Sequence, residues 1–239
     1  MVGKQRFVTK LPVTLEAAGM ENVELRPLGP STITGQARLE GESKSALTEA
    51  RVWLSEAGVE VFLMGEVPDT DAVDGKISED GTFTLHNLTP GIYHVNVGTP
   101  KGLYLKSVLS DGRDVAESGV DLQAGGMSAE LQIVLSSNGG SIEGTVEKGD
   151  GAQVTLIPAD PKSPRRRTQT VQADAQGHFT FPTVAPGKYK VFAWQTVDPS
   201  AAMYDSEFRK PFESQGQTVE VEEKQKATVQ LQLIPAVEK

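Results

Sequence analysis

Only a few residues in this sequence have the types and spacing that chemistry requires. Asp69, Asp71 and Asp74 bring three carboxylates into six residues, and Gly75 follows to turn the chain. Calcium takes six to eight oxygen ligands, so the stretch is a calcium candidate. It is not an EF-hand, because the third Asp comes one residue late and no Glu closes the loop. An acidic surface loop with no metal is the simpler reading. The segment 195–216 carries Tyr204, Phe208 and Phe212 just after Trp194, among Asp198, Asp205, Glu207, Arg209 and Lys210. Exposed rings at such spacing stack on sugars, which makes Trp194, Tyr204, Phe208 and Phe212 candidates for binding starch or another polysaccharide. The same rings could instead pin the segment to the body of the protein, covering an open sheet edge. That second reading is favoured.

Catalytic groups are harder to find. A nucleophile needs a base within hydrogen-bond reach, and His86, His94 and His178 are the only histidines. None lies in a His-Glu-x-x-His motif, and neither Gly-x-Ser-x-Gly nor a phosphate-binding glycine loop occurs. Cysteine is absent, so thiol catalysis, disulfides and Cys-zinc sites are excluded. No enzymatic activity and no cofactor beyond the calcium candidate is expected. Arg165, Arg166 and Arg167, after Lys162, form the one basic cluster and read as a solvated loop. The net charge of −9 falls mainly in residues 30–138, so nucleic acid is not an expected partner. Apolar runs are too short to span a bilayer, and no signal-peptide pattern opens the chain.

The elements that must position these residues are written twice. Thr32-Ile33-Thr34-Gly35 is answered by Ser141-Ile142-Glu143-Gly144, at an offset of 109. Asp80-Gly81-Thr82-Phe83 is answered by Gln176-Gly177-His178-Phe179, and Pro90-Gly91-Ile92-Tyr93 by Pro186-Gly187-Lys188-Tyr189, both at 96. The 13 extra residues of the first copy fit best between Glu56 and Gly75. At the same offset the histidines face Pro182, Lys190 and Thr82, which marks them as solvent-facing fillers rather than a site.

Within each copy, apolar residues alternate at period two: Val52 and Leu54, Phe83 and Leu85, Tyr93 and Val95, Leu131, Ile133 and Leu135. Val154 and Leu156, Phe179 and Phe181, Tyr189 and Val191, Val219 and Val221, and Val229 to Leu233 repeat the pattern. Half-buried strands in two layers follow, hence an all-β fold of sandwiches or barrels. Trp53, between Val52 and Leu54, is assigned to the core. Gly81 is expected at positive φ, and Tyr93 and Tyr189 are expected to close the core with the ring while the hydroxyl reaches loop backbone. The domains are therefore 30–138 and 139–239. Residues 1–29, with Leu11 to Leu15 and Val23 to Leu28, repeat the closing strands, as if a preceding copy ended there; a strand added to the first domain is the alternative.

The run of strand, Gly, Asp-Gly-x-Phe and Pro-Gly-x-Tyr-x-Val resembles the bacterial carboxypeptidase-regulatory-like domains, similar in fold to transthyretin and to the CnaB repeats of surface adhesins. The resemblance rests on Ile33 to Gly35, Asp80 to Leu85 and Pro90 to Val97, and on Ile142 to Val146, Gln176 to Phe181 and Pro186 to Trp194. It implies tandem Greek-key (prealbumin- or Ig-like) β-sandwiches. It also implies a non-catalytic spacer or interaction scaffold in a larger exported bacterial protein. Partners would then be other domains of a longer chain or another protein, and the location extracytoplasmic. CnaB repeats often join a first-strand Lys to a last-strand Asn. Here 32–39 and 141–147 contain no Lys, and 129–135 and 227–234 no Asn, so no isopeptide bond is expected.

Overall fold

The computed structural model describes residues 24, 26–43, 46–56, 75–122, 126–160 and 167–236. The calcium candidates Asp69, Asp71 and Asp74, most of the first-copy insertion and nearly all of 1–29 lie outside these residues, as do Lys162, Arg165 and Arg166. The chain divides into two compact units. One gathers the described parts of Met1–Leu39, Ala46–Pro100 and Ser107–Leu135, the other those of Glu40–Ser45, Lys101–Lys106 and Ser136–Lys239.

The first unit is built on β1 (Ser31–Glu40), β2 (Arg51–Glu56), β3 (Gly75–Lys76), β4 (Thr82–Leu88) and β5 (Ile92–Gly98). It continues with β6 (Tyr104–Ser110), β7 (Arg113–Asp114), β8 (Val120–Asp121) and β9 (Ser128–Ser136). One sheet runs β4-β1-β9-β6-β7, the other β3-β2-β5-β8. Ile33, Phe83, Leu85, Leu131 and Ile133 are buried from the first sheet, and Val52, Leu54, Tyr93 and Val95 from the second. Alternation at period two supplies each sheet with its apolar face.

The second unit comprises β10 (Gly140–Glu147), β11 (Gln153–Pro158), β12 (Gln169–Gln172), β13 (His178–Val184) and β14 (Gly187–Trp194). Two short helices follow, α1 (Pro199–Tyr204) and α2 (Ser206–Arg209), then a 3-10 turn over Lys210–Gln215, β15 (Gln217–Val221) and β16 (Lys226–Ile234). Strands run β12-β11-β14-β16-β10-β13, with β15 also on β14. Only Ala193 with Leu233 and Trp194 with Ile234 join β14 to β16, so the path folds into two layers. Ile142, Phe179, Phe181 and Leu231 of one layer pack with Val154, Leu156, Tyr189 and Val191 of the other. The fold class is all-β, of β-sandwich type.

The two units share their wiring. The strand pair β1–β4 corresponds to β10–β13, and both carry a register irregularity after the first partner, Ser31–Leu88 in one and Gly140–Val184 in the other. Gly81 and Gly177 both stand at positive φ, 85° and 79°, turning the chain into the Phe-bearing strand. Where the first unit continues into β6 and β7, the second has the helical segment instead.

Trp53 departs from expectation. It is half-buried, opposite Asn96 on the face away from Val52 and Leu54, with its indole over Gly98. A residue between two core residues of a strand must point the other way. Buried neighbours on both sides therefore put it on the opposite face, not in the core.

Candidate functional site

Strand β14 is unusual in having both faces buried. Tyr189, Val191 and Ala193 face the sandwich core, while Phe192 and Trp194 face outward and are equally covered. The cover is the segment 195–216. A sheet face carrying Phe and Trp in succession leaves a large apolar area in water unless another element lies on it.

That segment is short-range structure held by its own polar groups. Asp198 accepts from the backbone N–H of Ser200 (2.8 Å) and Ala201 (3.4 Å) and caps α1, whose first residue is Pro199. Asp205 accepts from the N–H of Glu207 (2.9 Å) and Phe208 (3.0 Å) and caps α2. The Arg209 guanidinium donates to the Ala202 carbonyl at 3.2 Å. Burial pushes the Arg209 pKa down, against the opposing pull of Glu213 and Asp205. Lys190 of β14 pairs with Glu213 and lies 6.0 Å from the Phe192 ring centroid. The acidic and basic residues among the aromatics thus fold the strap and tie it down.

The four aromatic candidates divide accordingly. Trp194 has no exposed surface. It stacks on Phe192 (centroids 5.6 Å, 22°), meets Phe208 at 5.8 Å and forms a T-shaped pair with Phe212 at 5.2 Å and 80°. Phe208 and Phe212 are half-buried and touch each other at 5.8 Å. Only Tyr204, 46 % exposed, offers its ring to solvent. Trp194 therefore cannot stack on a sugar in this structure, and Phe208 and Phe212 give their rings to Trp194. The strap covers a sheet face, moreover, rather than an open edge. The reason is the outward Phe192–Trp194 pair, which a reading of the strand as one-sided overlooks.

The remaining candidates are also placed. His86 and His178 are exposed and His94 is half-buried. His178 Nδ1 lies 3.4 Å from Asp174 Oδ2, but Asp174 accepts backbone N–H bonds from Gln176 (2.9 Å) and His178 (2.8 Å), which is turn chemistry. Those bonds, the one from His178 first, hold the Asp174 carboxyl below its ordinary pKa; bonds from Thr82 do the same for Asp80. Among the described residues, no group of three or more His, Cys, Asp or Glu could hold a metal ion. No helix of the described residues is long and apolar enough to cross a membrane.

One repeated feature has a structural role in each copy. Tyr93 donates to the Thr89 carbonyl at 2.9 Å and Tyr189 to the Ala185 carbonyl at 2.6 Å, each four residues back. Burial raises the Tyr189 pKa, and the Arg167 guanidinium acts against it. Arg167, read as part of a solvated loop, is half-buried beside Gly187 and Tyr189. Nothing in an Arg-rich run marks which member turns inward.

No family model matches the chain, and no curated protein matches it. Among solved structures, the TIE protein of Bacillus anthracis is similar at 20% identity with a TM-score of 0.30; the match covers 84% of this chain and 33% of that one. This chain thus spans about a third of that protein's length. The minor pilin of Streptococcus agalactiae is similar at 12% identity and TM-score 0.35, covering 87% of this chain and 98% of that one. A DUF3823 family protein from Parabacteroides merdae follows at 14% identity and TM-score 0.26, covering 68% and 89%.

Proposed function

We propose that the chain is a non-catalytic structural module, a spacer or interaction scaffold made of two copies of one β-sandwich domain, 30–138 and 139–239. The observation that carries this reading is what the repeated residues do. Gly35 and Gly144 admit the Phe83 and Phe179 rings, Gly81 and Gly177 turn the chain, and Tyr93 and Tyr189 lock a loop. What the two copies have in common is architecture, and the site-like segment of the second copy is folded onto its own sheet.

In this reading the domains are of the carboxypeptidase-regulatory-like kind and belong to a larger exported bacterial protein. They act outside the cytoplasm and contact neighbouring domains or a protein partner. The test is retention of the purified chain on immobilised polysaccharides at low and moderate salt. The scaffold reading predicts no retention. Salt-insensitive retention on one glycan, lost in Tyr204→Ala while the fold persists, would replace it with a sugar-binding module.

A further inference from the structure

Beneath the strap lie three polar atoms that a dry interface would not hold. Trp194 Nε1, Thr155 Oγ1 and Gln153 Nε2 are all buried without a protein hydrogen-bond partner. They belong to one patch. In the antiparallel β11–β14 register Gln153 stands opposite Trp194 and Thr155 opposite Phe192. Val154 and Leu156 point into the sandwich core, so Gln153 and Thr155 share the outer face with Phe192 and Trp194. Helix α1 packs against β11 at this face.

Leaving a buried polar group unpaired is costly, and three in one patch more so. Cross-strand neighbours on one face stand about 5 Å apart and next-but-one residues along a strand about 7 Å. The indole and carboxamide are long enough to close those gaps onto a common point. We propose that the strap seals a binding site for a neutral oxygen ligand, an ordered internal water. The water oxygen accepts from the Trp194 indole N–H and the Gln153 amide N–H, and one of its hydrogens is donated to Thr155 Oγ1. Three partners is the usual number for a buried water. No charged side chain is needed, since the donors are neutral and Lys190 is already paired with Glu213.

The experiment has two readouts on the full chain. Water–protein NOE spectroscopy of the 15N-labelled chain, with Trp53→Phe identifying the indole signals, reads the site directly. A negative NOE between long-lived water and Trp194 Hε1 is expected. Urea unfolding of Thr155→Val reads the sign of the hydroxyl's contribution. Bridged by water, its loss lowers the folding equilibrium constant about fivefold. In a dry site the same change removes an unpaired hydroxyl and raises it. Absence of the NOE overturns the proposal, and so does an unchanged or raised stability in Thr155→Val. Should Thr155→Val not fold, Gln153→Leu carries the same sign test.

Discussion

Gly35 and Gly144 sit directly across the strand pair from Phe83 and Phe179. A Cβ at Gly35 would come 2.2 Å from the Phe83 ring and 2.8 Å from the Leu131 carbonyl; at Gly144 it would come 2.5 Å from the Phe179 ring and 2.2 Å from the Val229 carbonyl. Backbone cannot yield as a flexible side chain can. Gly144→Ala should therefore cost about 3 kcal/mol, the upper part of the overpacking range, read as a lowered urea midpoint; a change under about 0.5 kcal/mol would contradict the close approach. Tyr189→Phe deletes a buried hydroxyl donor and leaves the Ala185 carbonyl short of a partner, an expected loss of about 1 to 2 kcal/mol. The pH dependence has a definite sign. The folded-state pKa of Asp174 lies below its ordinary value of 3.8. Its contribution is thus present above that value and is lost as pH falls through the depressed one. Asp174→Asn should flatten the acid limb of stability below about pH 4, and an unaltered limb would show the turn bonds to be idle.

At the scale of elements, the strap is one point where the two copies differ. It holds Trp194 out of water through Phe208 and Phe212 rather than through long helices, which four- and six-residue turns cannot sustain alone. Phe208→Ala should cost roughly 2 kcal/mol, less than a fully buried Phe because this one is half-buried. In a Trp53→Phe background it should also shift Trp194 emission to the red and open the indole to acrylamide. Unshifted emission would mean the sandwich alone shields Trp194. Much of this scale was legible beforehand. Period-two alternation located the paired strands, and the Pro-Gly-x-Tyr run announced the hydroxyl lock at Tyr93 and Tyr189. The pinning of the strap to the body is legible too, but that it covers a face rather than an open edge is not. Alternation identifies one apolar face, whereas Phe192-Ala193-Trp194 is apolar on both, and only a second layer of chain decides whether Phe192 and Trp194 are exposed. Trp53 failed for a related reason: alternation was present, and the residue was on its other phase.

For the molecule as a whole, strand order, bulge, turn glycine and tyrosine lock recur in both units, with β6 and β7 of the first standing where the second has the strap. Each unit has its own two layers and buried apolar residues, the condition for folding alone. The repeat is thereby expected to be self-sufficient. Its most direct test is to express residues 139–239 alone and follow urea unfolding by circular dichroism and by Trp194 fluorescence. One cooperative transition is expected, coincident by both probes, from a β-rich state with a shielded indole. A piece that is unfolded in buffer, or that melts without cooperativity, would contradict it.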